Sequence, residues 1–270
     1  MVLIGSRALA FWDNTFKVKE DADWDIICKD ESEVADLRAK GYKVEVHKYE
    51  DLDNKLYYNT CYYFSGLHTQ DGICIADIHT LALIKRSHLW RDYKWDKHIT
   101  HYHKHLKPYL LPGDLSLVKD RARLTKEKYP QGQPSLNKSN EDFFDDAVDK
   151  VYDHDWLHEL AAYGNAPIYT KLKRDDSKAW CEKDLWDNLS EEDKARCVAE
   201  EAYVIATERF LVRTNWGYSY RGAYMTAVKK ICTTLTSGWF RDYAIDNYPA
   251  IVALFDVQKI ETMKGKIHGN

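Results

Sequence analysis

No apolar run in the 270 residues approaches the ~18 residues of a membrane span, and no basic region followed by an apolar core opens the chain. A membrane-spanning protein and a secretory leader are therefore not expected. No C-x-x-C pair occurs. The six cysteines, Cys28, Cys61, Cys74, Cys181, Cys197 and Cys232, are scattered, most of them in apolar or helical contexts. That pattern reads as reduced, cytosolic thiols and excludes a disulfide framework or a zinc ribbon. Excess positive charge is also missing. The net charge of -4 argues against a protein that coats nucleic acid broadly, although a local basic patch stays open. There are no internal repeats and no long low-complexity tract.

What is present is a globular composition, 44% hydrophobic and 30% charged, at a length that suits one large domain or two ordinary ones. The 19 Tyr and 9 Trp supply packing area first, and stacking platforms second.

The most informative stretch is the first 28 residues. The apolar run Val2-Leu3-Ile4 leads to Gly5-Ser6, and Asp23-Trp24-Asp25 precedes a second apolar run, Ile26-Ile27-Cys28. A strand, a Gly-Ser turn and a strand opening with two carboxylates suit a nucleoside triphosphate. Glycine lets backbone N–H groups approach phosphate, and the Ser6 hydroxyl adds a donor. Asp23 and Asp25, two apart on a strand, share a face and could share divalent cations. Two such ions can clamp the attacking and leaving oxygens of a phosphoryl displacement.

This pattern resembles the nucleotidyltransferase superfamily of DNA polymerase β, which carries G-S, then D-x-D, then a third acidic residue on a later strand. The resemblance covers about residues 1–105. It implies a small mixed sheet, a nucleoside triphosphate, Mg²⁺ or Mn²⁺, and transfer of a nucleotide to an acceptor that could be a nucleic-acid end, a small molecule or a protein. Gly5, Ser6 and Arg7 fall at the phosphate-binding turn. Glu45 is the first choice for the third carboxylate, because the valines flanking it in Val44-Glu45-Val46 point to the opposite face. Asp77 is the rival, but it is also placed to cap a helix. Lys85 and His88, on the helix that follows, could reach the triphosphate. A solvated basic face is the alternative for Lys85-Arg86-Ser87-His88. The arrangement is also similar to phage-encoded nucleotidyltransferase-like proteins.

The expected organisation is α+β: a nucleotidyltransferase-like domain over 1–106, then an all-helical domain over 107–270. Strands are read at 2–5, 23–28, 42–47, 57–64 and 72–76. Helices are read at 6–11, 32–40 and 77–88, with Gly41 stopping the second. Residues 129–140, rich in Pro, Gly, Ser and Asn, read as a linker or mobile loop. Beyond 143 the pattern is helical, over 143–162, 190–213, 219–236 and 239–256.

Other constellations compete for function. His98, His101, His103 and His105 crowd one stretch, but Lys97, Lys104 and Lys107 around them oppose a metal. His154 and His158 are four apart on a predicted helix, so both imidazoles face one way. With Asp155 between them they resemble the His-Asp pair of HD-type metal phosphohydrolases, and Glu201 on another helix could complete a second site. His154 is then a candidate base or metal ligand. A buried polar network is the simpler account. Trp239, Phe240 and Arg241 read as packing at a helix end, and the run Arg121, Arg123, Lys126, Lys128 as solvated. Three functions follow: nucleotidyl transfer, a nucleotide phosphohydrolase in the helical half, or a non-catalytic binder of nucleotides or proteins.

Overall fold

The computed structural model describes residues 1–48, 69–70, 72–91, 93–128, 186–205, 220–234 and 238–254. The chain divides into two compact units, Met1–Gln133 and Pro134–Asn270. The first is mixed α/β, and the described part of the second is helical.

In the first unit five strands form one mixed sheet in the order β3-β2-β1-β5-β4. They are β1 (Val2–Leu3), β2 (Trp24–Cys28), β3 (Val44–Lys48), β4 (Thr69–Gln70) and β5 (Ile73–Ile75). β1 runs antiparallel to β2 and parallel to β5, while β2 and β3 are parallel, with Asp25 beside Glu45. The central strands are apolar on both faces. Leu3, Ile26, Ile27, Ile73 and Ile75 are all fully buried, which is why they read as continuous apolar runs. β3 lies at the edge, and its alternating residues are partly or wholly exposed.

Helix α1 (Gly5–Trp12) follows β1 directly. The expected helix at 32–40 is a 3₁₀ turn, Glu31–Val34, opened by an Asp30–Glu33 capping box and continued by α2 (Ala35–Ala39). Helix α3 (Ile78–His88) begins at Asp77, whose Oδ1 accepts the amide of His79 at 2.8 Å. Helix α4 (Trp95–His101) runs into a π-helical turn, Tyr102–Leu106, and α5 (Leu115–Lys128) belongs to the same unit. The expected strand at 57–64 lies outside the described residues.

α3 packs against α1, α4 and α5. Eight of its eleven residues are buried, among them Lys85, Arg86 and Ser87. The solvated-face reading of this stretch is thereby corrected. Ser87 Oγ donates to the carbonyl of Ile84 at 2.7 Å and accepts from Arg121 at 3.0 Å. Arg121, expected in solvent, is only 8% exposed. Sequence periodicity misses this because a helix surrounded by others must bury polar positions, which find partners on the neighbouring helix.

The described helices of the second unit are α6 (Glu191–Ile205), α7 (Tyr220–Thr234), α8 (Gly238–Asp246) and α9 (Tyr248–Ala253). Trp186 packs against Trp239, Phe240 and Tyr243, with ring centroids 5.1–5.2 Å apart. Phe240 and Arg241 are buried, as the packing reading of 239–241 expects. Tyr224 Oη anchors α7 to the carbonyl of Ile251 at 2.8 Å.

Candidate functional site

A cavity of about 450 Å³ opens in the first unit, within the usual size of a small-molecule pocket. One wall is the strand edge and turn: Gly5 and Ser6 from the start of α1, Asp25 from β2, Glu45 and His47 from β3. The other wall is cationic. Lys85 comes from α3, Arg91 and Lys94 from the α3–α4 connection, Lys97 from α4 and Arg121 from α5.

The turn that shapes the first wall is fixed by the sheet. The Ile4 amide donates to the carbonyl of Asp25 at 2.8 Å, which brings Gly5 against the Asp25 side chain. Gly5 has φ +74°, a left-handed conformation that L side chains rarely adopt. A Cβ there would also collide with the Asp25 carboxylate. Backbone conformation and space thus independently require glycine at this position.

Asp25, Glu45 and His47 each offer a ligand atom, and these atoms lie within 4.8 Å of one another. Strand pairing explains the grouping. Asp25 and Glu45 are register partners on parallel strands, and His47 is two residues beyond Glu45 on the same face. His47 Nε2 lies 3.6 Å from Asp25 Oδ1. Two carboxylates and an imidazole at this spacing can surround one divalent cation, because oxygen and nitrogen ligands sit about 2.0–2.6 Å from such ions. The donor set fits a metal.

Of the other residues expected here, Asp23 is engaged elsewhere: its Oδ1 lies 2.6 Å from Lys43 Nζ, and it does not line the cavity. Arg7 is likewise not in the wall. Its guanidinium donates to the carbonyls of Ala22 and Glu20 at 2.8–3.1 Å and lies over the Trp24 ring, so it tethers the segment entering β2. Asp77 serves as the α3 cap and is not in the Asp25–Glu45–His47 group. Lys85 and His88 do line the cavity. His47 escaped the sequence reading, although its place in the alternation of Val44-Glu45-Val46-His47 carries the signal.

Burial tunes the cationic wall. The Lys85 amine is lowered to about 8, first by desolvation and then by Lys97, against the opposing pull of Asp25. Its Nζ lies 3.4 Å from His98 Nδ1. Burial lowers His98 to about 2 and His88 well below the ordinary imidazole range, so both rings are neutral. The two rings lie 4.6 Å apart at the cavity. His101 is lowered to about 4 by burial, and His105 holds Asp13 at 2.6 Å. Asp13 is itself lowered to about 2, chiefly by its hydrogen bond from Thr15 and then by His105. The histidine stretch is therefore divided between the cavity and the His105–Asp13 hydrogen bond. Among the described residues, no metal-ligating group of three includes any of these histidines.

His154, Asp155 and His158 lie outside the described residues. Glu201, on α6, is fully buried. No described helix is long and apolar enough to cross a membrane.

The model of a family described as a domain of unknown function, DUF7275, matches residues 80–264. The chain belongs to the DUF7275 family. A second model, DUF7277, also described as a domain of unknown function, matches residues 1–84. No curated protein and no solved structure matches the chain. The two matched regions meet inside α3, and the cavity draws on both. Gly5, Asp25, Glu45 and His47 come from the DUF7277 region, and Lys85, Lys97, His98 and Arg121 from the DUF7275 region. The carboxylate wall and most of the cationic wall thus belong to different family regions within one compact unit.

Proposed function

We propose that this protein is a metal-dependent nucleotidyltransferase, moving a nucleotide from a nucleoside triphosphate to an acceptor hydroxyl, phosphate or side chain. The observation that carries the reading is the close approach of Gly5 to Asp25 inside a cavity whose opposite wall is cationic. Such a turn offers backbone donors at a helix start, where phosphate oxygens are favoured. Ser6 adds its hydroxyl. Lys85 and Lys97 attract the triphosphate and offset the charge that builds on departing pyrophosphate. Arg121, held by Ser87, gives a fixed guanidinium on the same wall.

Asp25 and Glu45 would hold Mg²⁺ or Mn²⁺, which would neutralise phosphate charge and orient the acceptor oxygen. In the reaction the acceptor oxygen bonds to the α-phosphorus, the bond to the bridging oxygen breaks, and pyrophosphate leaves with that electron pair. The acceptor proton passes to water. Asp23, paired with Lys43, has a structural role in this scheme, so one cation held by Asp25 and Glu45 suffices.

The test is pyrophosphate release and labelled-nucleotide transfer with each of the four ribonucleoside triphosphates, in Mg²⁺ and in Mn²⁺. Transfer that disappears in Asp25→Asn supports the reading. Triphosphate binding without release of pyrophosphate in either metal, across a panel of nucleic-acid, protein and small-molecule acceptors, replaces it with a binding role. Absence of triphosphate binding ends it.

A further inference from the structure

The third donor at the Asp25–Glu45 site is a nitrogen. We infer that His47 is a ligand of the bound cation, and that the site takes one nitrogen-accepting divalent ion such as Mn²⁺ or Co²⁺ in preference to Mg²⁺ or Ca²⁺. The inference rests on the nucleotidyltransferase reading only in placing a cation there. The donor geometry is independent of any substrate.

Three observations lead to it. The first is geometric. Parallel register sets Asp25 beside Glu45, and strand alternation returns His47 to the same face, with all three donors within 4.8 Å of one another. The second concerns what is missing from the set. Asp23 pairs with Lys43 at 2.6 Å and is not in the group, which leaves the imidazole as its third donor. The third lies across the cavity. Lys85 is nine-tenths buried and lines the same space, and its hydrogen-bond partner is the imidazole of His98 at 3.4 Å. A buried ammonium facing an imidazole, with no carboxylate in hydrogen-bonding reach among the described residues, implies an anionic ligand beside the cation. A metal–polyphosphate pair has that composition.

The chemistry of the donors then selects the ion. Carboxylate and water suit Mg²⁺, Ca²⁺ and Mn²⁺ alike, whereas an added imidazole raises affinity for first-row divalent ions in the Irving–Williams order, modestly for Mn²⁺ and more for Co²⁺. Mg²⁺ also sheds water reluctantly and prefers hard oxygen donors, so exchanging a water for an imidazole gains it little.

The experiment uses the full chain without nucleotide. Mn²⁺ binding is measured by the loss of free-ion EPR signal, then challenged with Mg²⁺, and the bound ion is examined by pulsed EPR for coupling to ¹⁴N. The expected result is one Mn²⁺ per chain, imidazole-nitrogen modulation in its spectrum, and at least a tenfold excess of Mg²⁺ needed to displace half of it. In His47→Asp the nitrogen modulation disappears and the Mn²⁺ preference over Mg²⁺ falls severalfold. Bound Mn²⁺ with no nitrogen coupling in the wild-type chain overturns the inference, as does coupling that survives in His47→Asp. Equal affinity for Mg²⁺ and Mn²⁺ also overturns it. The wild-type measurements decide even if the variant does not fold. Transfer activity with Mg²⁺ and no nitrogen coupling would leave the nucleotidyltransferase reading standing while this inference falls. Nitrogen-coupled Mn²⁺ with no triphosphate binding would do the reverse.

Discussion

The carboxylate of Asp25 occupies the space that a Cβ on Gly5 would need. The contact joins the turn after β1 to the carboxylate wall on β2, and the Ile4 amide bonded to the Asp25 carbonyl locks the two together. Gly5→Ala therefore meets two costs, a left-handed backbone worth roughly 1–2 kcal/mol and displacement of the carboxylate. The melting temperature should fall. The two residues should also couple, with Gly5→Ala costing less in an Asp25→Ala background. A double-mutant cycle with a coupling of at least about 1 kcal/mol is expected, and strict additivity would contradict the contact.

Asp23 and Asp25 should behave unequally. Asp25→Ala and Glu45→Gln should each reduce nucleotide transfer by more than a hundredfold, because both line the cavity and belong to the donor group. Asp23→Ala should reduce it less than tenfold and behave like Lys43→Ala, since those two residues pair with each other. Steady-state rates for the four variants decide this. Equal losses in Asp23→Ala and Asp25→Ala would return Asp23 to the metal set.

Lys85 gives a test in which stability and binding move in opposite directions. Its folded pKa of about 8 lies below the ordinary lysine value of 10.5, so the unfolded chain holds the extra proton between those values. Stability due to this group rises with pH over that window and is lowest below pH 8, where burial of the charged amine costs on the order of 3 kcal/mol. Lys85→Met should raise the melting temperature at pH 7 by several degrees, and the gain should shrink towards pH 10. The same variant should weaken ATP binding at pH 7. In the wild type, ATP affinity should decline as pH rises through about 8.

The buried imidazoles act at the other end of the scale. His88, His98 and His101 are all held below the usual value of 6.5, mainly by burial. The unfolded chain takes up protons that the folded chain refuses, so stability is full above pH 6.5 and drains as pH falls below it. Each imidazole contributes a slope of about 1.4 kcal/mol per pH unit. Chemical denaturation between pH 7 and 5 should show this loss, and His98→Leu should flatten it. An unchanged acid slope in that variant would mean that His98 titrates normally.

Much of the carboxylate wall is written locally. Gly5-Ser6 stands between an apolar run and a helix, and the phase of Val44-Glu45-Val46-His47 sends Glu45 and His47 one way and the valines the other. Asp77 declares itself a cap by standing immediately before a helical pattern. Such features depend on strand alternation and helix-start chemistry, which act over a few residues. Partner choice is different. Asp23 and Asp25 share a strand phase, yet a lysine on the neighbouring segment takes one and leaves the other to the cavity. That choice depends on β2 and β3 lying side by side in parallel, a pairing that connects residues some twenty positions apart. The cationic wall is further still from local control. Lys85 reads equally as a triphosphate contact or a solvated charge, and Arg121 as a solvated one, until α3 is enclosed by α1, α4 and α5. The sequence by itself determined which side chains could hold a cation and where the chain must turn. Only the tertiary structure decided which of them meet, because burial and pairing are set by elements distant in sequence and a single strand or helix carries no record of its neighbours.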